Sequence, residues 1–417
     1  MVSNRLKYYL LVFSLLPIIY LGASSFVMPK GEIKEHFGKI KPRWEYTSNQ
    51  YDPKSPPTLI LSVQGGSTNT TGALFQYDPT TSRFTELFRE KNMGSSLNHA
   101  PEQALAIVRN FINSTAKMYP NEPITIVMGM AGTEFAGGRG LFLNGLVENT
   151  NITHAILTSD AETAWLSVFD NEGLIMVVGT GGVTLATTKD GHKYQSGGHG
   201  GPISDYPSAT SLVFDYDRCS ESISSLSDGH WHYSEPLPLM EKWIKNHGGD
   251  PDNFFAYRSQ LLTSGKNDTY ASRAKDIIDY YRQQQPTPKA TDVNTPTSLQ
   301  TEDSGNTPPQ HPLKEGDYCV SYAINKAFGH FKEELVAKHI SPAFSSIPFA
   351  FDGTVGGELW KLMEREQQAN GLKSRKSPLK PDLIVGALRL VYDHIPAEKF
   401  RAMITSNQFA VSSSPGN

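Results

Sequence analysis

Residues His154–Tyr206 read HAILTSDAETAWLSVFDNEGLIMVVGTGGVTLATTKDGHKYQSGGHGGPISDY. An apolar run ends in Thr158-Ser159-Asp160 and is followed by the helix-like AETAWLSVF, a second apolar run, LIMVV, and the cluster Gly179-Thr180-Gly181-Gly182. A further glycine cluster, SGGHGG, occupies Ser196–Gly201. This order of strand, acid, helix, strand and Gly-Thr-Gly turn is typical of a chain whose backbone amides approach a phosphate beside a carboxylate.

Asp160 admits two interpretations. Ser159 and Glu162 match the S-x-x-E capping box, and an acid in the first turn favours the positive end of a helix, which together account for Asp160 as structure alone. In the functional interpretation, its carboxylate accepts the proton of a substrate hydroxyl that attacks a γ-phosphate. Such assistance contributes roughly 10²–10⁴-fold to a rate. The residues by themselves leave both interpretations open.

A second glycine turn, Gln64-Gly65-Gly66-Ser67-Thr68-Asn69, lies between two strand-like runs. It does not precede a helix, which excludes a P-loop or a Rossmann dinucleotide site. A glycine hairpin with hydroxyl residues can still hold phosphate oxygens through amides and side-chain donors, although alone it is more often a plain hairpin. Together with the turn at Gly179–Gly182, it predicts two hairpins that grip a polyphosphate from opposite sides.

Length and composition exclude several classes of protein. The 417 residues suffice for two or three domains, and the net charge of −4 attracts neither nucleic acid nor an anionic membrane surface. The two cysteines, Cys219 and Cys319, could pair once, but free buried thiols are the preferred expectation. The sequence has no CxxC or HExxH pattern, so we expect no structural metal site.

The N-terminus carries a hydrophobic segment, Tyr8–Phe26, with no charge in nineteen residues. It is long enough to span a bilayer, and the basic residues that follow favour an uncleaved anchor with a cytoplasmic catalytic domain. Pro17 and the small residues near its end equally suit a cleaved signal peptide over residues 1–29, which would make the protein secreted. We interpret the polar, Pro-containing residues 30–57 as a tether.

Strand-like and helix-like segments alternate in both halves of the chain, which predicts an α/β fold. Pro101–Tyr119 has a helical period with Pro in its first turn, and Ile124–Gly129 has the composition of a buried strand. The segment at 283–317 is rich in Pro, Thr, Gln, Asn and Ser and has almost no large apolar residues. It predicts a disordered insertion because it cannot bury enough surface to offset chain entropy.

The order of these motifs resembles that of the N-acetylglucosamine kinase and BadF/BadG/BcrA/BcrD-type ATPase family, within the actin, Hsp70 and sugar-kinase superfamily. SVQGGSTNT resembles the family's first phosphate hairpin, (D/E)GGGT, SSLNHA its sugar-contacting turn, and SDAE its strand-ending acid. GTGG, GGHG and SDYPS follow in the order of its GTGS, GGWG and GDEGS motifs. FDGTVGGELW resembles its adenosine-contacting turn, and KPDLIVGALRL its closing helix. The resemblance extends from about Thr58 to His394.

The resemblance implies a two-lobed actin-like ATPase (ribonuclease H-like) α/β fold, in which each lobe is a mixed sheet with flanking helices. The N-terminal lobe would span 58–153, with 381–396 packing back onto it. The C-terminal lobe would span 154–380 and contain the insertion at 283–317. Because the phosphate hairpins lie on opposite lobes, the lobes would close around ligand.

The resemblance also implies a kinase that transfers the γ-phosphoryl group of ATP, with Mg²⁺, to a hydroxyl of an amino sugar such as N-acetylglucosamine. Asp160 would be the catalytic base, and the protein's partners would be a sugar and a nucleotide; a homodimer is compatible with it. The substrate would be contacted by Asn98, Gly198 and Asp205. ATP would be contacted by Gly65, Gly66, Ser67, Thr68, Asn69, Gly179, Thr180, Gly181, Gly182, Gly353 and Thr354.

The chain departs from the family's motifs at several positions. Gln64 replaces an acid that helps to hold hydrated Mg²⁺, and a neutral amide is a poorer partner for the cation. Gly182 replaces Ser, His199 replaces Trp, and Tyr206-Pro207 replaces Glu-Gly. These departures support an alternative, a degenerate nucleotide- or sugar-binding protein held at a membrane. A third alternative is an exported hydrolase or adhesin, which an active signal peptide would favour.

Overall fold

The computed structural model describes most of the chain after its N-terminal segment. The described residues are 31–98, 100–148, 151–199, 205–222, 224–227, 230–233, 237–247, 249–263, 267–284, 317–336, 348–369 and 380–405. The hydrophobic segment Tyr8–Phe26 and residues 285–316 of the expected insertion lie outside these ranges. Within them, none of the helices combines the length and the apolar character that crossing a bilayer requires.

The structure contains strands and helices in alternation. The strands are β1 (Gly31–Phe37), β2 (Pro42–Ser48), β3 (Leu59–Gly65), β4 (Asn69–Asp78), β5 (Arg83–Met93), β6 (Ile124–Met130), β7 (Ile152–Thr158), β8 (Gly173–Val178), β9 (Gly182–Thr187), β10 (Lys193–Gly197), β11 (Ser224–Ser227), β12 (His230–Tyr233), β13 (Phe349–Asp352) and β14 (Ile404–Thr405). The helices are α1 (Pro101–Met118), α2 (Ala136–Val147), α3 (Asp160–Leu166), α4 (Ala209–Ser222), α5 (Pro238–Asn246), α6 (Pro251–Thr263), α7 (Asn267–Ala271), α8 (Ala274–Gln284), α9 (Tyr318–Val336), α10 (Thr354–Ala369), α11 (Leu383–Leu388) and α12 (Ala397–Ala402).

The structure has two mixed sheets that contain the same arrangement of four strands. The larger sheet has the order β1-β2-β7-β6-β3-β4-β5-β14, and the smaller has the order β10-β9-β8-β13. In each, an antiparallel meander (β3-β4-β5 or β8-β9-β10) is extended by a strand parallel to its first member (β6 or β13). The predicted α/β class with two mixed sheets is confirmed. The shared order places the first turn of each meander, the two glycine turns, at equivalent positions.

A common core joins the two sheets. Trp165 of α3 is fully buried in a cluster that contains Ile60 from the larger sheet and Ile175 from the smaller one. Ser62 Oγ of β3 donates a hydrogen bond of 2.8 Å to the Ile384 carbonyl of α11, so the end of the described chain returns to the larger sheet. Helix α3, which Asp160 begins, therefore lies between the sheets and packs against both.

The interpretation of residues 30–57 as a tether is wrong over residues 31–48. Strands β1 and β2 form an antiparallel hairpin, and β2 pairs with β7 at the edge of the larger sheet. Trp44 and Tyr46 alternate with polar neighbours and are buried in the core of that sheet. The period-two pattern of a half-buried strand was hidden by the charged residues around it.

Two further expectations differ from the structure. Cys219 and Cys319, expected as free thiols, form a disulfide with a Cα–Cα distance of 5.4 Å. The antiparallel packing of α4 against α9 brings them together across 100 residues of sequence, which spacing alone could not reveal. Asp317, assigned to the insertion, is buried and accepts hydrogen bonds from the Cys319 amide (3.1 Å) and the Tyr216 hydroxyl (2.7 Å).

Candidate functional site

The first glycine turn, residues 65–69, connects β3 to β4 and is braced by two neighbouring segments. Within it, the Gly66 amide donates to the Asn69 carbonyl at 2.9 Å. The Ala131 amide donates to Gly65 O at 2.7 Å, and the Ser95 amide donates to Gly66 O at 2.9 Å. The carbonyls of Gly65 and Gly66 thus accept hydrogen bonds from neighbouring segments, and the bond from Ala131 fixes the turn relative to the end of β6.

The second glycine turn, residues 179–182, connects β8 to β9 and is held by the start of α4. The Ala209 amide donates to Gly179 O at 2.8 Å, and Thr210 Oγ1 donates to Thr180 O at 2.7 Å. A helix N-terminus has unpaired amides, and here they bind the carbonyls of the turn. As in the first turn, neighbouring segments satisfy the carbonyl oxygens.

The two turns face each other. The hydroxyl oxygens of Thr68 and Thr180 lie 3.4 Å apart, within hydrogen-bonding reach, and both are exposed. The structure therefore brings together the two phosphate hairpins that the sequence predicted, with hydroxyl groups as the contact. That they bind phosphate remains a prediction.

Asp160 begins α3 at the end of β7 and does not cap the helix. The cap is Ser159, whose Oγ accepts a hydrogen bond from the Glu162 amide at 3.1 Å. The second half of the capping box is not formed, because the Glu162 carboxylate turns toward the β1–β2 loop. Asp160 Oδ1 accepts from the amide of Ala161 at 2.9 Å. The structural interpretation thus explains Ser159 but leaves the Asp160 carboxylate available for another role.

Burial and neighbouring charges perturb Asp160. Desolvation is the largest cause, and with the negative charges of Glu134 and Asp352 it raises the pKa of Asp160 to about 7, while the Ala161 amide and Lys41 act in the opposite direction. A carboxyl group whose pKa lies near neutral pH is suited to accept a proton during a reaction. Perturbed carboxyl groups cluster at functional sites, so this shift supports the functional interpretation of Asp160.

Glu134, Asp352 and Lys41 are candidate site residues that the sequence reasoning missed. Asp352 ends β13, and Asp160 directly follows the end of β7, so a position at a strand end could have identified Asp352. Glu134 lies further on, in the turn that follows β6. Burial raises the pKa of Asp352, with a smaller lowering by the Gly353 amide and by Lys380. Lys41 has no such signal, because its segment was interpreted as a tether.

Asp205 connects the second turn to the SGGHGG loop. Its Oδ1 accepts hydrogen bonds from the amides of Gly198 and His199, each at 3.1 Å. Its Oδ2 lies beside Gly181, where a Cβ would be 2.8 Å away. Gly198 and Asp205, both predicted as substrate contacts, are therefore brought together, and Asp205 is buried. The observed contacts brace the loop, and the predicted contact with a sugar remains a prediction.

Asn98 lies on the other side of the site, next to the turn that follows β6. Its backbone nitrogen would be 2.6 Å from a Cβ placed on Gly132, and the Leu97 amide donates to Ala131 O at 2.9 Å. The same turn carries Glu134. Asn98 is thus placed near the acidic cluster, while its role as a sugar ligand stays a prediction.

Gly353 packs directly against the strand that leads into the second turn. Its φ is +91°, and a Cβ there would lie 2.3 Å from Val178 O and 3.0 Å from the Gly179 nitrogen. Thr354 starts α10, so in the segment FDGTVGGELW the turn is Gly353 alone and the helix follows directly. The predicted adenosine segment therefore adjoins the predicted phosphate turn.

Gln64, at the end of β3, is buried and contacts helix α3. Its Oε1 accepts a hydrogen bond of 2.8 Å from Thr163 Oγ1 of α3. Among the residues that the structure describes, no group of three or more His, Cys, Asp or Glu side chains has the arrangement of a metal site. Mg²⁺ that binds together with a nucleotide is commonly held by the phosphates and by water, with only one or two carboxylates from the protein.

Solved structures of other proteins share the fold of this chain. One matching crystal structure is of a protein from Chromobacterium violaceum provisionally described as an N-acetylglucosamine kinase; identity is 20%, coverage is 80% of this chain and 99% of that chain, and the TM-score is 0.56. Another, with the same provisional description, is from Porphyromonas gingivalis, with 14% identity, coverage of 81% and 98%, and a TM-score of 0.50. No protein-family model and no curated protein sequence matches the chain. The predicted two-lobed actin-like ATPase fold is confirmed.

Proposed function

We propose that this chain is a kinase that transfers the γ-phosphoryl group of ATP to a hydroxyl of an amino sugar such as N-acetylglucosamine. The observation that carries the proposal is the facing pair of glycine turns, with Thr68 and Thr180 in contact, beside a carboxyl group of raised pKa at Asp160. The two structures of the same fold, provisionally described as N-acetylglucosamine kinases, support the choice of substrate class.

The phosphate grip would use groups from both turns. In each turn, neighbouring segments donate hydrogen bonds to backbone carbonyls. The exposed side of the first turn carries Thr68 Oγ1, and that of the second turn carries Thr180 Oγ1. Phosphoryl transfer depends mainly on positioning and on stabilising charge, and groups that approach a polyphosphate from both sides provide both. Mg²⁺ bound to ATP would supply the neutralisation of phosphate charge that is usual in this reaction.

Asp160 would act as the base. The sugar hydroxyl attacks the γ-phosphorus in line, its oxygen–phosphorus bond forms as the bond from the γ-phosphorus to the β,γ-bridging oxygen breaks, and the hydroxyl proton passes to Asp160. The products are a sugar phosphate and ADP. Because the reaction needs the ionised carboxylate, the rate is expected to rise with pH through the pKa of Asp160.

The proposal is tested by measuring ADP release with ATP, Mg²⁺ and a panel of N-acetylated and plain hexoses. We expect turnover with at least one N-acetylated hexosamine and little with the plain hexoses. Mass spectrometry of the product should show a monophosphate of the same sugar. ADP release that is independent of sugar, with no phosphorylated sugar, would reject the kinase in favour of a simple ATPase.

One observation supports a second candidate, a nucleotide- or sugar-binding protein that does not turn over. Gln64 stands where the resembling family has an acid, and its amide is engaged by Thr163. In that case nucleotide and sugar would each raise the melting temperature, but no product would form. The same sugar panel, run with thermal melts beside the product assay, separates the two functions.

A further inference from the structure

The loop between β1 and β2 is joined to α3 by one buried carboxylate. Glu162 is fully buried, and its two oxygens accept hydrogen bonds from the amides of Lys39 (3.0 Å), Ile40 (2.9 Å) and Lys41 (2.8 Å). Arg43 of β2 adds a salt bridge at 3.1 Å. These four partners hold the buried Glu162 carboxylate in place, because a movement of the carboxylate away from them would leave a buried charge without compensation. The loop and the helix that Asp160 begins therefore form one unit.

This attachment directs the Lys41 side chain into the site. Its Nζ lies 2.9 Å from Glu134 Oε1, and the side chain is only 8% exposed, whereas that of Glu134 is 39% exposed. Lysine side chains are rarely buried unless they are paired, because an ammonium group loses much of its hydration. Lys41 thus loses much of its hydration and is paired with Glu134, an acid that acts on Asp160.

We propose that the β1–β2 loop is a working part of the catalytic site, and that Lys41 is a positioning residue whose charge favours the ionised form of the Asp160 carboxylate for proton acceptance. The proposal rests on the proposed kinase function only for its consequence on rate. The placement of Lys41 itself follows from the contacts of Glu162 and Glu134.

The charges that face Asp160 explain why a cation is needed there. Burial has the largest effect and opposes ionisation of Asp160, as do Glu134 from the turn after β6 and Asp352 from the end of β13. The amide of Ala161 and the charge of Lys41 favour ionisation. Lys380 acts on Asp352. Without Lys41, Asp160 would lose the cation that balances the pKa-raising acids Glu134 and Asp352, so its carboxyl group would retain its proton to a higher pH. Lys41 both neutralises Glu134 and attracts the Asp160 charge.

The first test measures stability and needs no catalytic activity. The difference in free energy of unfolding between a parent protein and its Asp160→Asn variant changes with pH from roughly 3.9, the pKa of an unfolded aspartate, and levels off at the folded-state pKa of Asp160. The pH at which it levels off therefore gives the titration midpoint of Asp160 in the folded protein. We expect this midpoint to move up by about one pH unit when the parent carries Lys41→Met, and to stay near its original value with Lys41→Arg. An unchanged midpoint in Lys41→Met would overturn the proposal.

Two further variants serve as a control and as a second test of the charge arrangement. Lys34→Met is the matched control, because Lys34 lies on the same hairpin but is 66% exposed and pairs with Glu32 at 2.9 Å. It should leave the midpoint unchanged. Glu134→Gln removes an opposing charge from a partly exposed position and should move the midpoint to lower pH. If Lys41→Met does not fold, a midpoint that fails to move in Glu134→Gln contradicts the proposed charge arrangement.

The second test uses the pH profile of sugar phosphorylation. With Lys41→Met the rising limb of kcat against pH should move to higher pH, and kcat at pH 6.5 should fall by about tenfold while it recovers at high pH. A loss of kcat that is equal at every pH would show a merely structural role. If the natural chain phosphorylates no sugar, the proposed function fails, and the stability midpoints still decide the role of Lys41.

Discussion

The hydroxyl oxygens of Thr68 and Thr180 lie 3.4 Å apart, although 112 residues separate them in the chain. Each lies in the first turn of the antiparallel meander of its own sheet. Because four strands of each sheet have the same arrangement, the contact joins equivalent positions of two similar units. A polyphosphate bound here would exchange one hydroxyl–hydroxyl contact for hydrogen bonds from both sides.

Removing one of these hydroxyl groups should weaken nucleotide binding. Thr180→Val keeps the side-chain volume and the β-branch but deletes a donor to a charged phosphate, which is typically worth about 1.5–3 kcal/mol. The Kd for Mg-ATP, measured by titration calorimetry, should rise about 10- to 100-fold. Thr85→Val, on β5 and away from the turn, is the control. Equal Kd values for the two variants would exclude Thr180 from the nucleotide site.

Stability should depend on pH through Asp160. Its pKa is about 7 in the folded protein, against roughly 3.9 in an unfolded chain, so between these values the folded state holds a proton that the unfolded state has released. The contribution of Asp160 to the free energy of unfolding therefore falls as pH rises, and its penalty is complete above pH 7.

Asp160→Asn should accordingly raise the melting temperature at pH 8 and change it little at pH 4. Glu90→Gln, at an exposed acid of β5, serves as the control and should behave alike at both pH values. A melting temperature that Asp160→Asn raises equally at pH 4 and pH 8 would show that ionisation of Asp160 is not the cause.

The contact of Gly353 with Val178 should make this glycine irreplaceable. In Gly353→Ala a methyl group meets Val178 O at 2.3 Å and a φ of +91° is strained, so we expect a loss of about 1–3 kcal/mol in the free energy of unfolding. Gly357→Ala is the matched control on α10, where a Cβ meets nothing within 4 Å. It should stabilise by about 0.5–1 kcal/mol. Denaturant unfolding that gives both changes the same sign would disprove the packing described here.

The disulfide should stabilise the part of the chain around α4 and α9. It joins residues 100 apart, for which chain entropy in the unfolded state gives up to about 4.7 kcal/mol. A reductant should lower the melting temperature of the natural chain by several degrees but leave that of the Cys219→Ser, Cys319→Ser double variant unchanged. Titration of two free thiols in denatured, unreduced protein would contradict the pairing.

The parts of the fold that could be predicted are those that neighbouring residues determine. The turn at Gly65–Asn69 is a glycine and hydroxyl run between two β-rich runs, and helix α1 has Pro in its first turn and a regular apolar period. The observed boundaries of these elements differ from the predicted ones by only one or two residues. The strand-ending position of Asp160 was equally visible, because an apolar run stops directly before it.

The rest depends on contacts that span the chain. Trp44 and Tyr46 were hidden among charged residues, and their partner strand β7 lies about 100 residues further on. Lys41, Glu134 and Asp352 belong to three separate elements and approach Asp160 only after the sheets assemble. Glu162 fits a capping box in sequence, but the amides of the β1–β2 loop compete successfully for its carboxylate. The residues of one segment do not reveal such competition, because the competing amides belong to a segment about 120 residues away.

The central claim is that Asp160 accepts a proton from a sugar hydroxyl during phosphoryl transfer from ATP. The most direct measurement is the rate of sugar-phosphate formation by Asp160→Asn, at pH 8 with saturating Mg-ATP and the preferred hexosamine. We predict a loss of kcat of about 100-fold or more, while the Kd for Mg-ATP stays within about twofold of that of the natural chain. A kcat equal to that of the natural chain, at unchanged nucleotide affinity, would contradict this account.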